Sequence, residues 1–158
     1  MFEIKQIDTP EQKADICNVI LRALPNWFGV EASIISYVDE TQYMPFWAAF
    51  DGAAPIGFVA LKLQTPYAAE LCVMGILKEY HRNGIGKKLV ECCEFFCANH
   101  STEYLTVKTL DESAPSKSYA KTRQFYLAMG FRPLEVFPLH WNKENPCLFM
   151  AKNLPAKL

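Results

Sequence analysis

Apolar residues recur along this chain in two rhythms, at alternate positions and at every third or fourth, and the switches between them mark out the elements. Phe2-Glu3-Ile4-Lys5-Gln6-Ile7 alternates as a half-buried strand does. Thr9-Pro10-Glu11-Gln12 then offers an N-cap, a proline at the first helical position and a capping-box glutamine. A helix is predicted from there to about Leu24, stopped by Pro25. Asn26-Trp27-Phe28-Gly29 reads as a turn carrying two large aromatics, and Glu31 to about Val38 as a second, shorter helix. Phe46 to Phe50 and Ile56 to Leu63 are predicted strands flanking the hairpin turn Asp51-Gly52-Ala53-Ala54-Pro55. Leu71 to Leu77 is uninterrupted apolar sequence, which suits a strand covered on both faces. The short Gln64-Thr65-Pro66-Tyr67 connection makes that strand antiparallel to its predecessor.

Beyond two closely spaced glycines the period lengthens. Leu89, Val90, Cys93, Phe96, Cys97 and His100 fall on one face of a long helix, with Lys87, Lys88, Glu91 and Glu94 on the other. Tyr104 to Thr109 is the next strand, and strand, helix, strand implies a right-handed crossover and a parallel pair. Leu110 to Lys117 is a polar loop, Ser118 to Met129 a helix ended by Gly130, and Arg132 to Phe137 and Leu148 to Lys152 the last strands. The expectation is one α/β domain over residues 1–158, its sheet mixed because the parallel pair has antiparallel neighbours.

Composition narrows the function classes. Hydrophobic residues make up 51% and charged ones 21%, so core material is ample and disorder is excluded. A formal net charge of −1 provides no general attraction to nucleic acid or to an anionic membrane. The N-terminus lacks a basic region followed by an apolar run, and no apolar stretch approaches the roughly 18 residues of a membrane span. A cytoplasmic protein is expected. The six cysteines lie mostly inside apolar runs without C-x-x-C pairs; Cys93, Cys97 and His100 share a helix face, but core packing is the expected role and no metal site is predicted.

Chemistry concentrates where the long helix begins. In His81-Arg82-Asn83-Gly84-Ile85-Gly86-Lys87 the glycines let the backbone turn sharply beside a ligand, and the first N–H groups of the helix point outward. With the helix dipole, Arg82 and Lys87, they form a site for an anion such as a pyrophosphate. A P-loop needs G-x-x-x-x-G-K-[ST], whereas Gly84 and Gly86 are too close and Lys88 stands where a hydroxyl belongs. The dinucleotide fingerprint fails too, with Leu89 in place of its third glycine. The stretch instead resembles the acyl-CoA loop of the GNAT N-acyltransferase superfamily, R/Q-x-x-G-x-G/A after a strand, with His81 in place of Arg or Gln.

A second stretch, Tyr119 to Phe131, is similar to that family's N-x-x-A-x-x-[FL]-Y-x-x-x-G-F motif. Phe125, Tyr126, Gly130 and Phe131 match, while Tyr119 replaces Asn and Thr122 replaces Ala. The resemblance implies a GNAT-like fold: a mixed, mostly antiparallel central sheet with one splayed parallel strand pair and helices on both faces. It implies acetyl transfer from acetyl-CoA to a primary amine of a small molecule or protein by direct attack in a ternary complex, with no metal and a possible homodimer. A non-catalytic acyl-CoA-binding or sensing domain is the alternative. By the same resemblance, the amides around Met74, Gly75 and Ile76 polarise the thioester and Tyr126 is the general acid. Gly75 also suggests a bulge in its strand. Glu70, eleven positions ahead of His81 as in histone-type members, is the candidate general base; it begins its strand on the face of Cys72, Met74 and Ile76. Tyr119 and Arg123 are candidate cofactor contacts beside His81, Arg82, Asn83, Gly84, Ile85, Gly86 and Lys87, and Trp27, Phe28 and Tyr37 are candidate acceptor contacts.

Overall fold

The structure is a computed structural model that describes residues 1–155. Among the described residues, seven strands form one sheet in the order β1-β2-β3-β4-β5-β7-β6, mostly antiparallel with one parallel pair, β4 with β5, and four α-helices accompany it. The strands are β1 Glu3–Gln6, β2 Phe46–Asp51, β3 Ala54–Leu63, β4 Ala68–Ile76, β5 Tyr104–Leu110, β6 Arg132–Asn142 and β7 Asn145–Asn153. The helices are α1 Pro10–Arg22, α2 Glu31–Glu40, α3 Ile85–Asn99 and α4 Lys117–Ala128. The chain divides into two compact units, Met1–Leu63 with Leu71–Phe96, and Gln64–Glu70 with Cys97–Leu158, so β4 starts in one and continues in the other.

The first unit is built on hairpins. Glu3 pairs with Phe50 and Gln6 with Trp47 across β1 and β2; Phe46 pairs with Ala60 across β2 and β3. α1 turns Ile16, Cys17, Ile20 and Leu21 inward, all buried, against Phe46, Phe58 and Val73. Phe46 and Phe58 stack at 5.1 Å with an interplanar angle of 11°. Pro10 opens α1 as predicted, but Thr9 makes no side-chain capping bond. Its carbonyl accepts from the Lys13 amide, the first intrahelical bond, and the proline leaves one fewer unbonded amide in the first turn. A bidentate pair of 2.8 Å bonds from Arg22 to Glu31 ties the end of α1 to the start of α2.

In the second unit β7 lies between β5 and β6, pairing Leu110 with Cys147 on one side and Phe137 with Cys147 on the other. Leu105, Val107, Phe131 and Met150 are buried there. α4 is capped by Ser116, whose hydroxyl accepts from the Tyr119 amide, and Gly130 follows it at φ +99°.

All six cysteines are thiols. Burial pushes Cys17, partly offset by a hydrogen bond with Thr41, and Cys147 up to about 11 from 9.0. The folded chain therefore holds these protons more tightly than the unfolded one, on the order of 2 to 3 kcal/mol apiece. That stability is complete below about pH 9 and is lost as pH rises through about 11. Urea unfolding across this interval should show the loss, and a Cys17→Ala, Cys147→Ala variant should show a shallower one.

Candidate active site

The first unit presents the predicted anion loop. β4 ends at Ile76, a 3-10 turn covers Lys78–Tyr80, and α3 starts at Ile85. His81, Arg82, Asn83 and Gly84 are exposed, whereas Ile85 and Gly86 are buried and fix the helix start. The amide of Lys88 already bonds the Gly84 carbonyl, so the donors without an intrahelical acceptor are those of Ile85, Gly86 and Lys87. Gly84 sits at φ +78° with open space where a Cβ would be; its conformation, not crowding, requires glycine. Arg82 also adopts a left-handed backbone, φ 66°, at a cost of about 1 kcal/mol for a side-chain-bearing residue.

Side chains hold this loop in shape. The His81 ring donates through Nε2 to the Ile76 carbonyl at 2.7 Å, and the Asn83 amide donates to the Tyr80 carbonyl at 3.0 Å. Tyr80 in turn donates to Asp51 at 2.7 Å, which joins the β2–β3 hairpin to the turn before the loop and holds the phenol above its ordinary range. Trp27 meets His81 edge-on at 5.7 Å, so this candidate acceptor residue does reach the loop. Phe28 and Tyr37 instead pack on each other at 6.2 Å. Lys87 stands 4.0 Å from Glu91, an exposed pair of little energetic weight.

On β4, Leu71, Val73 and Gly75 are buried while Cys72, Met74 and Ile76 are half-buried, so the even-numbered face is the more open. Gly75 faces α1: a Cβ there would lie 3.0 Å from Ile20 Cγ2 and 3.1 Å from Leu24 Cδ1. Close helix packing is the visible reason for this glycine.

Glu70 does not begin its strand. β4 starts two residues earlier, at Ala68, and Glu70 is only 7% exposed. Its Oε1 accepts from Gln64 at 2.8 Å and its Oε2 from Lys108 at 2.9 Å. An unpaired carboxylate at this burial would be costly, and these partners make it tolerable. Neither was singled out from sequence, although a lone lysine in the apolar run of β5 demands a counter-charge, which was the available signal. The neighbouring Thr106 hydroxyl donates to the Ala69 carbonyl at 3.4 Å.

Tyr126 is 7% exposed, with ring contacts to Phe125 at 5.4 Å and Phe131 at 5.6 Å. Tyr119 is half-buried, and burial raises its phenol. Arg123 directs Nη1 to the Leu110 carbonyl at 2.7 Å, tying α4 to the end of β5. Its charge also helps hold Asp111 below the usual carboxylate range, after the larger effect of the Ser113 hydroxyl. Cys93 and Cys97 are buried and His100 is exposed. Among the described residues no metal-binding cluster occurs, and no helix is long and apolar enough to cross a membrane.

Comparison with known proteins places this geometry. The chain resembles an aminoglycoside 6'-N-acetyltransferase complexed with coenzyme A at 21% identity and TM-score 0.77, covering 99% of each chain. It resembles the ribosomal-protein-S18-alanine N-acetyltransferase of Escherichia coli at 15% identity and TM-score 0.75, covering 98% of this chain and 94% of that one. A third likeness is PaiA N-acetyltransferase of Thermoplasma acidophilum, in complex with coenzyme A, at 19% identity and TM-score 0.72, covering 97% and 99%. No curated protein sequence matches. These likenesses carry the fold, and the sequence carries the family. Residues 42–133, more than half of the chain and including the loop, β4 and the Tyr126 helix, match the acetyltransferase (GNAT) domain, and the chain belongs to the GNAT acetyltransferase family.

Proposed function

We propose that this chain is an N-acetyltransferase that moves the acetyl group of acetyl-CoA to a primary amine by direct attack in a ternary complex. The observation that carries this is the start of α3, where the exposed residues Arg82, Asn83 and Gly84 lead into three amides, of Ile85, Gly86 and Lys87, that have no intrahelical acceptor at the positive end of a helix. Family membership supports acetyl-CoA as the donor, and two of the solved structures described above hold coenzyme A.

Aminolysis of a thioester sets three tasks. The entering ammonium must lose a proton, since a lysine-like amine has a pKa of about 10.4. The thioester oxygen needs donors as the tetrahedral charge develops. The departing sulfur needs a proton or a strong hydrogen bond. Glu70, directly or through water, takes the ammonium proton; main-chain N–H groups of Met74, Gly75 and Ile76 polarise the carbonyl. The amine nitrogen then bonds to the carbonyl carbon, the C–S bond breaks, Tyr126 donates to the departing thiolate, and the surplus proton on the new amide nitrogen leaves to the phenolate or to water. Thiols pushed up to about 11 at Cys17 and Cys147 are poor sources of thiolate, which favours direct attack over an acyl-cysteine route. The acceptors of two of these similar proteins, an aminoglycoside and a ribosomal protein, agree in presenting amines.

Release of free CoA from acetyl-CoA, followed with a thiol reagent over a panel of small and peptide amines, tests this. Turnover with at least one amine is expected. Tight acetyl-CoA binding with no turnover across the panel would assign an acyl-CoA sensor, and no binding at all would remove both. Glu70→Gln is expected to change the shape of the pH–rate profile; an unchanged profile hands the base role to water alone.

A further inference from the structure

We infer that Lys108 is a positioning residue for the acetyl transfer: it holds the Glu70 carboxylate ionised and fixed in place, so that the base carries no proton of its own when the ammonium arrives. The inference rests on the reading of Glu70 as the group that accepts the ammonium proton. Its geometry lies wholly within the second unit, to which Gln64, Glu70, Lys108 and Cys147 all belong.

A carboxyl group that is 7% exposed has lost most of its water, and burial by itself favours the neutral acid, which cannot take a proton. The structure sets a cation against it. Lys108 Nζ donates to Glu70 Oε2 at 2.9 Å, and Gln64 Nε2 donates to Oε1 at 2.8 Å, so the carboxylate cannot turn without breaking one of the two bonds. The lysine side chain keeps 26% of its surface and the glutamate 9%, so part of the cation's hydration survives while the carboxylate depends on its two partners. An ionised carboxyl group has about four acceptor sites, and two donors leave room for an ammonium or a water.

The other charged and titratable groups around the pair do not replace Lys108. Alternation puts Lys108 on one face of β5 with Thr106 and Leu110, and the register carries that face across β7 through Cys147, Phe149 and Ala151. On β6 the same rows hold Arg132 and Glu135, two strands and about 10 Å away from β5. Burial pushes the Cys147 thiol up to about 11, with Lys108 pulling it down and Glu70 raising it further. It is therefore neutral near pH 7 and offers the lysine no competing anion. Lys62, two positions before Gln64, is exposed and belongs to none of the ion pairs among the described residues.

Carbon-13 NMR of the glutamate carboxyls in the full chain, with the Glu70 signal assigned by its loss in Glu70→Gln, reads the ionisation apart from any activity. In Lys108→Met that signal is expected to titrate about 1 to 3 pH units above its wild-type position. Lys108→Gln keeps a donor but not the charge; it should do the same, and it carries the test if the methionine variant does not fold. Lys108→Arg should restore the wild-type position, and Lys62→Met should move it by less than about half a unit. In CoA release with the best amine of the panel, kcat/KM for that amine should fall about tenfold or more in Lys108→Met on the acidic side of the profile and recover as pH rises, with acetyl-CoA affinity within about twofold. A merely structural lysine would lower the rate equally at every pH. A Glu70 signal that keeps its wild-type position in both uncharged variants, or a loss that does not recover with pH, overturns the inference while a changed Glu70→Gln profile leaves the base reading standing. A Glu70→Gln profile identical to wild type removes that reading, and the inference with it.

Discussion

Tyr126→Phe is expected to lower kcat at least about tenfold, short of the roughly hundredfold or more of full general-acid catalysis because a strong hydrogen bond rather than complete proton transfer is at stake, while leaving acetyl-CoA affinity within about twofold. The substitution removes one oxygen and keeps the ring whose edges meet Phe125 and Phe131. Packing is therefore conserved, and folding stability should change by less than about 1.5 kcal/mol. An ordinary phenol titrates near 10 and an ordinary thiol near 8.5, so complete proton transfer to the thiolate is mildly uphill. The gain comes from a hydrogen bond that strengthens as the C–S bond opens, and an interaction made only in the transition state is lost from kcat and not from binding. Initial rates at saturating acetyl-CoA, with binding followed separately by calorimetry, separate the two quantities. Equal rates for the two proteins would mean that Tyr126 is a core residue and nothing more.

Local signals in the sequence located most of the frame. Pro10 opened the first helix, which stops at Arg22, two residues short of the expected Leu24 before Pro25; Gly130 followed the last, and α3 starts at Ile85, between the two glycines where a helix start was expected. What stayed hidden depended on partners far along the chain. Glu70 looked like a strand terminus because a charge normally ends an apolar run. Lys108, 38 positions away, neutralises it and lets β4 begin earlier. The Leu110 carbonyl that Arg123 serves lies 13 positions upstream, a partner its sequence neighbourhood does not announce. β6 was expected to stop at Phe137 before Pro138, yet it runs to Asn142, because an edge strand does not need the amide that proline lacks. His100 followed the helical period of its neighbours but stands outside, at the end of α3 where the packing surface has run out. Periodicity reports what an element does locally; the ion pair at Glu70 and the guanidinium at Leu110 are tertiary facts.

The largest effect on folding is expected from Phe58→Ala, a loss of about 3 to 5 kcal/mol. Phe58 has no exposed surface, stacks on Phe46 and shares a core with Ile20, Leu21 and Val73. Truncation removes the transfer energy of a phenyl group and leaves a cavity that strand neighbours on both sides, fixed by the β2–β3 register, cannot collapse to fill. Against a total stability of about 5 to 15 kcal/mol this is a large fraction. In a chain of this size each kcal/mol moves the midpoint by about 2 to 4 °C, so Tm should fall on the order of 10 °C. Phe58→Leu keeps most of the volume and should cost under half as much. The two substitutions also probe the site, because a Cβ on Gly75 would lie only 3.5 Å from Phe58 Cε1, so the ring backs the β4 residues proposed to polarise the thioester. At a temperature where both variants are still folded, Phe58→Ala should therefore weaken kcat more than Phe58→Leu does. A loss of stability below about 1 kcal/mol for the alanine variant would show that β3 is not the centre of this core, and equal kcat in all three proteins would separate that core from the chemistry.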